Sequence, residues 1–222
     1  MQNLNSIFIF AFLFIVSCNR QYNDANFQTT NTDTPKIFTR EIPTYKDGPK
    51  KGDTTYLFKA IREDVRQLNL DNIENGYDSL EIRIWLGHSM AKKRNVVIIQ
   101  RKSNKWSGKL VTFIQGYEEK TGKEFIGNKE VKEAKPKSGW NNFIKNILSL
   151  KIMILPDEND ISGYNGCGTD GLPYYFEIAT RDKYRFFTYC NIEDNIQNFA
   201  EARYVDNIAR LLEKELIFEF TR

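Results

Sequence analysis

The residue types able to do chemistry are few and scattered in this chain. Gly166-Cys167-Gly168-Thr169-Asp170-Gly171 has the glycine spacing of a dinucleotide fingerprint. That chemistry requires a strand before the glycines and a helix after them whose N-terminus meets the pyrophosphate. Here Leu172-Pro173 and an aromatic run follow instead. The glycines therefore read as a tight turn with positive φ. His88 is the single histidine, so a zinc site built from several imidazoles is excluded, and neither Cys167 nor Cys190 lies in a Cys-x-x-Cys spacing. A Ser-His-Asp triad would have to use His88, with Ser89 beside it, and no Gly-x-Ser-x-Gly elbow is present. A Cys-His pair through Cys167 or Cys190 would depend on the fold alone. Asp157, Glu158, Asp160 and Asp170 fall in or beside one turn-rich stretch and could supply hard oxygen ligands to calcium. The spacing Asp157-x-Asn159-x-Ile161 breaks that pattern at its third ligand. No catalytic residue, metal ligand or cofactor is assigned.

Binding signals are more numerous. Lys92-Lys93-Arg94 and Arg101-Lys102 with Lys105 and Lys109 form two basic clusters, read first as solvated loop charges. A net charge of +3 over 222 residues is too small to imply a polyanionic partner, and nucleic acid is not expected. Tyr174, Tyr175, Phe176, Tyr184, Phe186, Phe187 and Tyr189 crowd two short segments. Strand alternation sends some rings to each sheet face. Those on one face pack under helices, and those on the other are either core or an exposed ligand patch. Tyr175, Glu177, Arg185, Phe187 and Tyr189 form the candidate binding surface, with Glu177 and Arg185 able to pair if the register allows.

These residues must be carried by an α+β domain. Leu57, Ile61, Val65 and Leu68 recur at helical spacing. Leu80, Ile82, Ile84 and Leu86 alternate with Glu81, Arg83 and Trp85, the pattern of a half-buried strand. Asn95–Arg101 and Trp106–Tyr117 flank the polar turn Lys102-Ser103-Asn104-Lys105 as a hairpin. Residues 119–137 read as a ragged edge strand or a loop. Trp140, Phe143, Ile144, Ile147 and Leu148 share one helical stripe, and Ser138 or Gly139 caps it. Tyr174–Ala179 and Tyr184–Cys190 form a second hairpin. A long helix closes the chain from about Ile196 to Leu216, with Val205, Ile208, Ala209, Leu212 and Leu216 inward. An antiparallel sheet built from hairpins with about three helices packed on it is expected. The 41% apolar and 14% aromatic content suits a packed domain.

The start of the chain is of a different kind. Ten apolar residues, Ile7–Val16, precede Ser17 and Cys18. The run is too short for a membrane span, which takes about 17–25 residues, and fits the apolar region of a cleaved signal. Ile15-Val16-Ser17-Cys18 resembles the lipobox of bacterial lipoprotein precursors. The resemblance covers about the first 20 residues. It implies that residues 1–17 are a signal peptide, that the Cys18 thiol takes diacylglycerol, and that the new amine is acylated, with palmitate among the chains. Asn19 rather than Asp follows the cysteine, so the inner-membrane retention signal of that family is absent. The resemblance places the protein at the outer membrane, facing the periplasm. Residues 18–52, rich in polar residues, read as a lipidated cysteine and flexible tether with a span of roughly 30 Å, although Ile37-Phe38 and Ile42 could dock as an edge strand. Residues 53–222 are the single globular domain. In that oxidising compartment Cys167 and Cys190 become a disulfide candidate.

The resulting expectation is a lipid-anchored envelope lipoprotein with a non-catalytic binding or accessory domain. Its partners would be the membrane, through the anchor, and a protein or glycan. Two alternatives stand beside it: an immunity or inhibitor lipoprotein of the periplasm, and a hydrolase whose site is built only by tertiary proximity.

Overall fold

Alternating apolar residues in long strands, with three amphipathic helices between them, give a sheet covered by helices on both faces. The computed structural model describes residues 37–87, 92–166 and 173–216. All of them belong to one unit, Lys36–Arg222. In chain order the elements are β1 (Thr39–Glu41), α1 (Tyr56–Gln67), β2 (Leu80–Leu86), β3 (Lys93–Lys102), β4 (Lys105–Glu118), β5 (Lys123–Glu133), α2 (Trp140–Ser149), β6 (Tyr174–Thr180), β7 (Lys183–Tyr189), α3 (Ile192–Asn195) and α4 (Ala200–Leu216). The seven strands form one mixed sheet in the order β1-β7-β6-β2-β3-β4-β5. Every pairing is antiparallel except β1 with β7. The fold is α+β.

The two faces have separate cores. On one face Ile82, Ile84, Val97, Ile99, Phe176 and Phe187 pack against Phe143 and Ile147 of α2 and Val205, Ile208 and Leu212 of α4. On the other, Val96, Ile98, Phe113, Tyr175 and Phe186 pack against Phe58, Ile61 and Val65 of α1. The Thr55 hydroxyl caps α1 by accepting the Phe58 N–H at 3.5 Å. Ser103 and Asn104 both hold positive φ, 47° and 62°. This is the two-residue turn whose twist suits adjacent antiparallel strands, and it sets the register Asn95↔Thr112 farther along β3 and β4.

Several sequence expectations change. The folded unit begins before residue 53: β1 pairs with β7, and Phe38 and Ile42 pack on the α1-side core. The docked edge strand therefore replaces part of the 18–52 tether. Strand β2 is not half-buried, because α1 covers its second face and Glu81, Arg83 and Trp85 are all interior. Residues 123–133 are a regular edge strand, kinked where the β4–β5 register shifts between Phe113 and Gln115. The final helix is two pieces, α3 and α4, so the described residues hold four α-helices where about three are expected.

Candidate functional site

The aromatic surface foreseen on β6 and β7 is interior. Tyr175, Glu177, Phe187 and Tyr189 are buried, and Arg185 is partly so. The register pairs Glu177 with Phe186 and Arg185 with Ile178, which puts the two charges on opposite faces and prevents their pairing. Arg185 instead bonds Glu41 of β1 at 2.6 Å and donates to the carbonyls of Met153 and Leu155 at 2.6 and 2.7 Å. Glu177 sits at the centre of a polar cluster under α1. Its carboxylate accepts from Arg62, from Trp85 Nε1 at 2.9 Å and from the Tyr184 hydroxyl at 2.9 Å. Burial, then the neighbouring Glu177 charge, pushes the Tyr184 phenol well above its ordinary range. Glu81 and Arg83 pair beside it at 2.6 Å, and Gln100 donates to the second Glu81 oxygen at 2.7 Å. Buried charges survive here because each is paired.

The acidic stretch is also structural. Beyond β1, no strand among the described residues lies beside the outer edge of β7. The Asp157 carboxylate accepts the Thr188 N–H at 2.9 Å, and Glu158 accepts the Cys190 N–H at 2.6 Å. Two carboxylates thus do what a neighbouring strand would do for those donors. Burial pushes the Asp157 carboxyl up, against the pull of its Asn159 and Thr188 hydrogen bonds. Among the described residues no cluster of three His, Cys, Asp or Glu is placed to hold a metal ion. Cys190 is disulfide-bonded. Cys18, His88, Ser89, Cys167 and Asp170 lie outside the described residues.

The basic clusters are partly absorbed by packing. Arg101 lies over the Trp106 ring and Lys102 over Tyr77, while Arg94 stands 3.9 Å from Asp64. Lys93 is exposed and turns the argument to a different place. The α2–α4 layer covers β7, β6, β2 and β3, takes Leu110 of β4 into its core with Trp106 half-buried against it, and takes no described residue of β5. A groove of about 900 Å³ results between the C-terminal turns of α4 and the sheet. Its sheet wall carries Lys93, Asn95, Leu110, Thr112, Glu130 and Lys132. Its helix wall carries Arg210, Glu213 and Lys214, and Ala134–Lys137 bound one end. That end is pinned, because the Lys137 N–H donates to the Glu215 carbonyl at 3.0 Å and the Ser138 N–H to the Glu215 carboxylate at 2.8 Å. On the floor, the Thr112 hydroxyl bonds the Asn95 side-chain oxygen at 2.7 Å.

Sequence reasoning did not bring this groove together. A signal for it exists: Asn95 shares its strand face with Val97 and Ile99, a polar residue on an apolar stripe, and the Ser103-Asn104 turn sets Thr112 opposite it. Comparison of the chain with protein-family models, with curated proteins and with solved structures finds no match. Among the described residues no helix is long and apolar enough to cross a membrane.

Proposed function

We propose that this chain is a lipid-anchored envelope lipoprotein whose domain binds a partner in the α4–sheet groove without catalysing a reaction. The observation that carries the reading is Ile15-Val16-Ser17-Cys18 directly after ten apolar residues. Acylated Cys18 is the membrane attachment, and two or more acyl chains hold it far more firmly than one. Asn19 favours the outer membrane, periplasmic side. Residues between Cys18 and β1 tether the domain.

The anchor and the disulfide belong to one compartment. Asn191 Nδ2 donates to the Gly166 carbonyl at 2.7 Å, and the Asn165 N–H donates to Asn195 Oδ1 at 3.1 Å. The chain at Gly166 is thereby held against the residue after Cys190. Cys167 follows Gly166, and we take it as the partner of Cys190. A second reading, an inhibitor of a periplasmic enzyme, draws on the far end of the β4–β5 pair. There Ile114, Tyr117 and Phe125 are 40, 62 and 49% exposed, in the manner of residues that insert into a partner's cleft.

Palmitate labelling in a bacterial host tests the main reading. Wild-type chain is expected to carry label and sediment with the envelope. Cys18→Ala is expected to carry none and to accumulate as an uncleaved precursor. An intact mass showing residue 18 unmodified and the first 17 residues retained in the wild type would refute the lipoprotein assignment.

A further inference from the structure

We infer that the α4–sheet groove takes a carboxylate-bearing peptide segment of another protein, an inference that rests on the groove being the binding site. Asn95 lies on the groove floor and is only 4% exposed. Its side-chain oxygen accepts from the Thr112 hydroxyl at 2.7 Å, and its NH2 group has no hydrogen-bond acceptor among the described residues. Because a hydroxyl can both donate and accept, either orientation of the amide leaves one polar group facing the groove. The Asn95 amide nitrogen is not one of the sealed, unsatisfied polar atoms of the domain; it opens to the groove and can donate to a ligand acceptor in place of water.

The rim supplies charge. Five cations and three carboxylates line the groove. Arg210 is engaged by Asp206 at 2.7 Å and Lys132 by Glu130 at 3.0 Å. The ammonium groups of Lys93, Lys137 and Lys214 have no carboxylate within ion-pair distance among the described residues. Lys137 is held beside α4 by the two Glu215 hydrogen bonds described above, and Lys214 lies in the last turn of the helix. Leu110 adds an apolar contact on the floor. An amide donor, an apolar floor and unpaired ammoniums match the parts of an acidic peptide in extended form: backbone carbonyl, aliphatic side chain, carboxylates. No aromatic side chain among the described residues lines the groove, so the stacking platform that saccharides favour is missing there.

The test uses the full mature chain in detergent and a fluorescein-labelled acidic peptide, Glu-Leu-Glu-Glu-Leu-Glu, read by fluorescence anisotropy. A Lys-Leu-Lys-Lys-Leu-Lys peptide, oligogalacturonate and inorganic phosphate serve as comparison ligands. The acidic peptide is expected to bind and the basic one not. Lys137→Glu/Lys214→Glu is expected to weaken binding roughly tenfold or more. Asn95→Ala is expected to weaken it about fivefold, the worth of one hydrogen bond. Lys59→Glu, on the exposed side of α1, should leave the affinity unchanged. Circular dichroism melts confirm that each variant is folded. If oligogalacturonate or phosphate binds with Asn95 dependence and the peptide does not, the ligand class is wrong and the groove stands. Peptide binding that Lys59→Glu weakens as much as the rim variants is diffuse charge attraction and overturns the inference. If no ligand's affinity depends on Asn95 or on the two lysines, the groove itself is not the site.

Discussion

Removing the Glu177 carboxylate would leave three donors facing a dry interface: Arg62 Nη2, Trp85 Nε1 and the Tyr184 hydroxyl. Arg83 would also lose a carboxylate 3.9 Å from its Nη1. Each buried donor left unsatisfied costs about 1–3 kcal/mol, and breaking a buried ion pair from one side costs about 3–5 kcal/mol. For Glu177→Ala we expect about 4 kcal/mol, since Arg62, 18% exposed at its side chain, can turn partly to water. In a domain of this size that corresponds to a fall of about 8–16 °C in thermal midpoint. Glu177→Gln keeps the shape and one acceptor and should cost about half as much. Arg62→Met should cost less again, because Trp85 and Tyr184 still satisfy the carboxylate. Urea unfolding measures all three, with m unchanged if only the native state is altered. The double variant should cost less than the sum of its parts, as expected for groups in one network. A Glu177→Ala loss under about 1 kcal/mol, or equal losses for Gln and Ala, would refute the account of Glu177 as an interior acceptor.

Other outcomes follow from the same geometry. Burial pushes the Asp64 carboxyl up to about 7, with Arg94 pulling it down and Glu124 and Glu63 adding to the rise. The folded state therefore holds a proton that the unfolded chain releases near 3.8, and Asp64 lowers stability as pH rises from about 4 to 7. Asp64→Asn should then raise stability by roughly 2–4 kcal/mol at pH 8 and change it little at pH 4; urea midpoints at the two pH values decide, and an equal effect at both contradicts it. A chain beginning at Lys51 loses β1 and the Phe38 and Ile42 contacts, and should melt at least about 5 °C below one beginning at Lys36; coincident melts would show β1 to be dispensable. A Cβ at Gly108 would stand 2.7 Å from both the Ile98 carbonyl and Trp140 Cη2, so Gly108→Ala should cost about 1–3 kcal/mol in urea unfolding, and a neutral result would mean Trp140 can move aside. Thiol labelling of unfolded protein purified without reductant should modify neither Cys167 nor Cys190; labelling of Cys167 would remove it as the partner.

What the sequence made legible is what local periodicity controls. The stripes Ile61/Val65 and Val205/Ile208/Leu212 depend only on residues three and four apart, and the helices carry them inward as read. The same rule placed β3 and β4 about their polar turn. Periodicity does not say what lies above a face. Glu81, Arg83 and Trp85 read as a solvated side of β2 because charge normally seeks water. They are interior because neutralising partners arrive from elsewhere in the chain: Gln100 from β3, Glu177 from β6 and Arg62 from α1. The aromatic surface on β6 and β7 failed for the same reason, since rings alternate in the same way whether a helix covers them or not.

The groove inverts this situation, and it follows from a mismatch in coverage. On the α1 side the Gln67 side chain reaches β5, taking the Ile126 N–H at 2.7 Å, and Lys129 donates to the Leu68 carbonyl at 2.8 Å. Helix α1 thus closes its face out to the last strand. On the opposite face the α2–α4 core reaches β4 at Leu110 and the half-buried Trp106, and Asn95, Thr112 and Glu130 continue the sheet into the groove. Polar residues there are consistent with a wet surface, yet Asn95 is nearly as buried as the core beside it. That floor presents a polar amide to an open groove without committing its NH2 to a partner among the described residues. Its position beside three ammonium groups without carboxylate partners among the described residues is the strongest physical ground for placing recognition at this edge of the sheet rather than in the aromatic strands.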